Sequence, residues 1–216
     1  MDDNVKAGQA VYTPMTLRTY DAFVHGFSNA LLWRCPAREL EALYARNVSS
    51  RHIDIGVGTG YFLDKAAWPT AHPEILLVDL NPHSLAAAAH RIRRFNPKTM
   101  TANVLEPLSI EAKFASAGLC YLLHCLPGTI PQKAVVFDHL RPALSPGAKV
   151  FGATTVQGDA PRSRPAQALM DHYNRKGIFS NAQDTREDLE AELKKRFEKV
   201  RVELRGCVAL FEAAAG

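Results

Sequence analysis

The apolar positions of the chain change period along its length, and each change marks an element. Leu17, Tyr20, Val24, Phe27 and Leu31 recur at spacings of 3 and 4, which puts them on one stripe of an amphipathic helix. Thr13-Pro14 supplies its start signal, a capping hydroxyl followed by proline at the first helical position. Gly26 is the point where that helix would break. Cys35-Pro36 opens a second helix with Leu40, Leu43, Tyr44 and Val48 on its inner face. The period then shortens. His52-Ile53-Asp54-Ile55-Gly56-Val57 is a β-rich run ending in glycines, and a helix is expected over 61–68. Ile75-Leu76-Leu77-Val78 is continuously apolar, as in a strand buried on both faces. Asn81-Pro82 caps a helix whose inner face holds Leu85, Ala88, Ala89, Ile92 and Phe95. A weaker strand over 100–104, an apolar run over 117–123, a helix over 131–140 and a strand over 149–155 follow. Strands and helices alternating at this spacing predict βαβ units and a parallel sheet.

The last quarter reads differently. An irregular helical pattern covers 161–176. Asp184 and Glu187 form a capping-box-like start for a helix presenting Leu189, Leu193 and Phe197. Residues 200–213 alternate around Gly206, predicting two final strands joined by a tight turn. No repeat, low-complexity tract or linker divides the 216 residues. One domain over 1–216 is expected, with 13–48 as a helical cap over the site.

Composition narrows the class. The chain is 47% hydrophobic and 22% charged, which excludes disorder and rod-like folds. Lys plus Arg is 26 against 22 for Asp plus Glu; a net charge of +4, dispersed along the chain, does not argue for a nucleic acid partner. Cys35, Cys120, Cys125 and Cys207 form no CxxC and read as reduced thiols rather than disulfides or zinc ligands. The acidic start Met1-Asp2-Asp3-Asn4 lacks the apolar core of a signal peptide. No apolar run reaches the ~18 residues of a membrane span. A cytoplasmic protein, monomeric or homodimeric, is expected.

The candidate chemistry starts at Asp54-Ile55-Gly56-Val57-Gly58-Thr59-Gly60. A strand runs into a glycine-rich turn that opens a helix, and glycine lets a ligand approach the backbone closely. The dinucleotide fingerprint G-x-G-x-x-G does not fit, because Tyr61 or Leu63 stands at the third glycine. A P-loop is excluded by the lack of Gly-Lys-Ser/Thr. Asp79 directly follows the second strand, where a carboxylate can accept both ribose hydroxyls of an adenosine. Leu80 can cover an adenine face, and Asn103-Val104 stands at the end of the third strand.

The segments "HIDIGVGTG", "LLVDLNP", "ANVLEP" and "CYLLHCLPG" resemble class I S-adenosylmethionine-dependent methyltransferases over nearly the whole chain. "YDAFVHGFSNALLWR" at 20–34 is similar to the N-terminal helix of small-molecule methyltransferases of the ubiquinone and menaquinone type, and "FEKVRVELRGCVALFEA" to the closing strands. The resemblance implies a doubly wound, Rossmann-like seven-stranded sheet of order 3-2-1-4-5-7-6 with strand 7 antiparallel. It implies S-adenosyl-L-methionine as methyl donor and S-adenosyl-L-homocysteine as product. Asp54 and the glycines Gly56, Gly58 and Gly60 would form the loop holding the methionine part, with Tyr121 and Leu122 lining that arm. Asp79 would bind the ribose, Leu80, Asn103 and Val104 the adenine, and Tyr20 would reach the cofactor carboxylate or close over the site. Many relatives have aspartate where Asn103 stands; its amide oxygen can accept the same hydrogen bond.

Methyl transfer needs an aligned lone pair on the acceptor, and an acceptor hydroxyl or thiol gains from a base. His124, expected at the end of strand 4 facing the cleft, is the candidate base. The alternative is a cleft-shaping residue. The strand-4 exit Leu123-His124-Cys125-Leu126-Pro127 lacks the N/D-P-P-Y/F signature of amino-methylating nucleic-acid enzymes. Its tip also lacks the aspartate that helps place magnesium in catechol-type relatives. A metal-independent, small-molecule methyltransferase is the expected function. A relative that keeps the cofactor loop but catalyses an isomerisation or cyclisation, or only binds a ligand, is the alternative.

Overall fold

The computed structural model describes residues 32–158 and 160–216. β1 (Arg51–Ile55) lies inside the sheet, parallel to β2 (Glu74–Asp79) on one side and β4 (Phe114–Cys120) on the other. β3 (Lys98–Thr101) extends the sheet beyond β2, and β5 (Leu144–Thr155) lies parallel to β4. β7 (Val208–Ala214) runs antiparallel between β5 and β6 (Glu198–Arg205). The order β3-β2-β1-β4-β5-β7-β6 is the one expected. The chain moves outward from β1 to β3 and then returns to β4. The carboxyl ends of β1 and β4 therefore flank the switch point, where open α/β sheets bind ligands.

Local chemistry accounts for most boundaries. In α1 (Ala37–Asn47), Leu40, Leu43 and Tyr44 are buried as their spacing predicts. This described part of the expected cap packs on β5 and on α2 (Tyr61–Lys65). The rest of the cap, with Tyr20, lies outside the described residues. α2 is shorter than the predicted 61–68. Asn81 caps α3 (Pro82–Arg91), its side chain accepting the His83 N–H at 2.8 Å. The helix expected over 131–140 is bent at Ala134 into α4 (Ile130–Lys133) and α5 (Val135–Leu140). β6 and β7 meet at Gly206, whose φ is +58°; a Cβ there would run into the Trp33 carbonyl.

Three elements depart from expectation for identifiable reasons. β3 ends at Thr101 because Asn103 forms a turn, its Oδ1 accepting the Leu105 N–H at 3.1 Å. β4 ends at Cys120 because Tyr121 takes a left-handed φ of +57°. Ser163 caps α6 (Arg164–Arg175), but the cap of α7 (Arg186–Lys194) is Thr185, which accepts the Asp188 N–H at 3.0 Å. Asp184 does not cap the helix, because its carboxylate turns inward to the fully buried Lys133.

Candidate active site

The glycine loop is built from left-handed residues. Gly56, Gly58 and Gly60 have φ of +73°, +52° and +72°. The Gly56 N–H still donates to the Val78 carbonyl at 2.9 Å, so the turn begins while the chain is registered against β2. A Cβ on Gly56 would come within 2.9 Å of Leu122 Cδ1. The loop and the β4 exit therefore touch across the switch point, and glycine is required there for space as well as φ.

Two adjoining clefts flank this loop. The larger encloses about 740 Å³, part of it open to solvent, and is lined by Gly56, Gly58, Asp79, Leu80, Asn103, Val104, Tyr121, Leu122 and Cys125 among others. The smaller lies beside Asp54, Gly60, Tyr61 and Tyr44, and it shares Gly56, Gly58 and Tyr121 with the first. Every described residue expected to touch the cofactor thus borders one of the two clefts. Asn81, Ser84, Ala102 and the Leu126-Pro127 turn also line the larger cleft; nothing in their residue types singled them out.

The larger cleft fits an adenosine. Asp79 Oδ1 accepts the Asn81 N–H at 2.8 Å, and the backbone N–H groups of Gly58, Val57 and Leu80 also favour its charged form. Burial outweighs them and raises its pKa to about 6. The carboxylate remains ionised at neutral pH and keeps acceptor capacity for a hydroxyl. Leu80 and Val104 supply apolar walls. Asn103 Nδ2 donates to Glu106 at 2.9 Å, so its Oδ1, with one lone pair used by Leu105, has one left to offer the cleft.

Asp54 is held from behind. Its Oδ2 accepts the Tyr44 hydroxyl at 2.8 Å and lies 3.3 Å from His52 Nε2. Gly118 stands opposite it in β4, and a Cβ there would collide with the carboxylate. Tyr121 carries strain: its φ is left-handed, and its buried hydroxyl faces the Cys35 thiol. Burial pushes the thiols of Cys35 and Cys125 up to about 12, so neither is a nucleophile near neutrality.

His124 departs from expectation. It lies in a short 3-10 turn (Leu123–Cys125), and its side chain lines neither cleft. Leu122 and Cys125 face the larger cleft, while the imidazole turns toward the end of β5 and is 4% exposed. There Nδ1 lies 3.3 Å from Thr154 Oγ1 and 3.5 Å from the Thr155 N–H. The Phe179 ring packs on it at 4.4 Å. Tyr173 and Trp33 pack on Phe179 at 5.0 and 6.2 Å. Burial, helped by the Lys133 charge, lowers the His124 pKa to about 3. Thr154 and Thr155, two polar residues closing an apolar strand, were the available sequence signal for this second locus; Phe179 carried none.

Comparison with known proteins identifies the whole. The methyltransferase domain family matches residues 53–150. The chain is 41% identical over 214 residues to the demethylluteothin O-methyltransferase of Streptomyces thioluteus, covering 99% of this chain and 93% of that one. It is 38% identical over 210 residues to the physcion biosynthesis cluster O-methyltransferase of Aspergillus chevalieri, covering 95% and 94%. The N-methyltransferase NodS of Bradyrhizobium japonicum WM9, solved in complex with S-adenosyl-L-homocysteine, shares the fold with a TM-score of 0.62 at 16% identity, covering 93% and 97%. With its predicted strand order, its glycine loop and an adenosine-sized cleft at the switch point, the chain belongs to the class I S-adenosylmethionine-dependent small-molecule methyltransferases.

Proposed function

We propose that the enzyme methylates a hydroxyl oxygen of a small conjugated molecule, without a metal. The observation that carries this is the Asp79 cleft at the switch point, which Tyr121, Leu122 and Leu126 continue with apolar walls. Apolar walls suit a planar acceptor, and the relatives at 41% and 38% identity carry O-methyltransferase names.

S-adenosylmethionine supplies an electrophilic methyl on a sulfonium; the chain binds, orients and excludes water. Asp79 accepts the ribose hydroxyls. Leu80 and Val104 enclose the adenine, and Asn103 Oδ1 takes its amino group. Gly56, Gly58, Gly60 and Tyr121 shape the methionine arm, and Tyr20 belongs to the same proposal as its closing residue. Asp54 braces the loop through Oδ2, which Tyr44 and His52 engage, and keeps Oδ1 for the methionine arm beside the smaller cleft. Metal independence is supported by the β4 exit, whose cleft-lining residues Leu122, Cys125 and Leu126 include no carboxylate. Among the described residues no helix is long and apolar enough to cross a membrane; a cytoplasmic, monomeric or homodimeric enzyme without nucleic acid partner completes the reading.

Titration calorimetry with S-adenosyl-L-homocysteine tests the cofactor half, with micromolar binding expected, about −8 kcal/mol. Incubating deuteromethyl-labelled donor with a panel of hydroxylated conjugated molecules tests the rest. Label appearing only on amines or carbon would overturn the oxygen assignment.

A further inference from the structure

We propose that His52 is a positioning residue of the cofactor loop, a buried imidazolium protonated on both ring nitrogens, whose pairing with Asp54 fixes the carboxylate that braces Gly56, Gly58 and Gly60. This rests on the methyltransferase reading above and concerns the methionine arm of the same site.

The argument is a count of protons. His52 lies two residues before Asp54 on the same face of β1, and it is fully buried. One hydrogen-bonded chain runs through it. Ser49 Oγ lies 2.7 Å from the Arg51 carbonyl and 2.8 Å from Ser116 Oγ. Ser116 Oγ lies 2.8 Å from His52 Nδ1, and His52 Nε2 lies 3.3 Å from Asp54 Oδ2. A carbonyl can only accept, so the Ser49 hydroxyl gives its proton to Arg51. Ser49 Oγ must then accept from Ser116, whose own proton is thereby committed. The lone pairs left on Ser116 Oγ take the Ser49 N–H at 2.9 Å and a proton from Nδ1. Nδ1 is therefore a donor. Nε2 faces a carboxylate oxygen that already accepts the Tyr44 hydroxyl, and a bare nitrogen there would set lone pair against lone pair. A further proton must lie between them, and imidazole is far more basic than a carboxylate. That proton belongs to Nε2.

The surroundings suit a cation held in a neutral pair. The Phe151 ring of β5 lies nearly parallel to the imidazole at 5.8 Å, and Trp68 and Tyr44 flank it at 5.5 and 6.4 Å. Gly118 of β4 leaves room for the pair, since a Cβ there would strike Asp54 and come within 3.4 Å of the ring. The other titratable groups at the carboxylate are the Tyr44 phenol of α1 and the Cys120 thiol of β4, and burial raises both so that they stay uncharged. With Nε2–H and the Tyr44 hydroxyl both on Oδ2, that oxygen is fixed, and Oδ1 is left to the smaller cleft that Asp54 borders. The pair is neutral as a unit, so the carboxylate stays ionised although buried. The methionine arm therefore meets a loop already braced and charged.

The experiment uses the full chain labelled with ¹⁵N-histidine and two probes. S-adenosyl-L-homocysteine carries the amino-acid arm; 5′-methylthioadenosine keeps the adenosine and the sulfur and lacks that arm. His52 is assigned by the signals that His52→Phe removes and Ser116→Ala moves. Long-range ¹H–¹⁵N spectra should show it protonated on both nitrogens between about pH 6.5 and 8, where a free histidine loses its charge. His52→Phe keeps a ring against Phe151, Trp68 and Tyr44 and removes both donors. By calorimetry it should weaken S-adenosyl-L-homocysteine about fivefold and 5′-methylthioadenosine less than about twofold. Ser116→Ala takes the acceptor from Nδ1–H and leaves the ring in place. It should shift the Nδ1–H resonance and weaken S-adenosyl-L-homocysteine in the same direction. A His52 ring carrying one proton at about pH 7.5, equal losses for the two probes, or unchanged affinity in a folded His52→Phe would each overturn the proposal. If His52→Phe does not fold, the spectrum of the unaltered chain and the Ser116→Ala variant decide the matter. Failure of the unaltered chain to bind either probe would instead overturn the methyltransferase reading.

Discussion

The Lys133 ammonium meets the Asp184 carboxylate with neither side chain exposed to solvent. Lys133 also donates to the Ser180 carbonyl, so one buried cation fastens α4 to the 180–184 segment. That segment follows Phe179 and holds Asn181, whose Nδ2 donates to the Thr155 carbonyl at 3.1 Å. The pair thus locks the chain beside His124 and the end of β5. Removing one partner strands the other charge in the core. Lys133→Met and Asp184→Leu should each cost about 3–5 kcal/mol in urea unfolding, and the double variant less than their sum. Single losses below about 1 kcal/mol would show that the clip is idle.

Asp79 is where binding and stability pull apart. Its folded pKa of about 6 lies above the ordinary 3.8. Between about pH 4 and 6 the folded chain therefore holds an extra proton, and this contribution to stability falls as pH rises through that window. Asp79→Asn removes the buried charge and should gain about 1 kcal/mol of stability at pH 7. Asp79→Ala should weaken S-adenosyl-L-homocysteine binding by about 1.5–3 kcal/mol. In the unaltered enzyme, affinity should decline below pH 6. A calorimetric series flat from pH 5 to 8 would remove Asp79 from the ribose site.

Gly56 tests the contact between the loop and the β4 exit. Alanine there meets both a φ of +73° and the Leu122 side chain at 2.9 Å. Gly56→Ala should lose about 1–3 kcal/mol. Adding Leu122→Ala should restore only the steric part, because the backbone penalty remains. Full recovery in thermal melts would assign the cost to the contact alone.

The sheet was legible because its signals are local. Continuous apolar runs such as 75–78, Asn81-Pro82 at a helix start and three alternate glycines after a strand each act within a few residues. Asp79, in the lining of the larger cleft, was legible for the same reason, because it closes a strand that the apolar run locates, whereas Asn103 stands in a turn two residues beyond β3. What escaped depends on distant partners or on a single dihedral. Asp184 reads as a cap until Lys133, 51 residues away in sequence, turns it inward. His124 was expected to face the cleft, but the left-handed Tyr121 redirects the chain, and no residue type announces a non-glycine in that conformation. Phe179 reaches His124 only through the return of the chain after α6.

The role of Asp54 separates loop support from ligand contact. It lies two residues before Gly56 and is 2% exposed. Its Oδ2 accepts the Tyr44 hydroxyl at 2.8 Å. If the carboxylate serves to brace the loop, removing the hydroxyl and removing the charge should do similar damage through the same bond. Tyr44→Phe and Asp54→Asn are each expected to cost about 1.5–3 kcal/mol of stability, with the double variant well short of the sum. Affinity for S-adenosyl-L-homocysteine, measured well below the melting transition, should fall less than about tenfold in either. A ligand role predicts the opposite split, since Asp54→Asn would then weaken binding as much as Asp79→Ala while Tyr44→Phe left it unchanged. Calorimetry and urea unfolding on the same three variants distinguish the cases, and a binding loss confined to Asp54→Asn would place this carboxylate in the site itself.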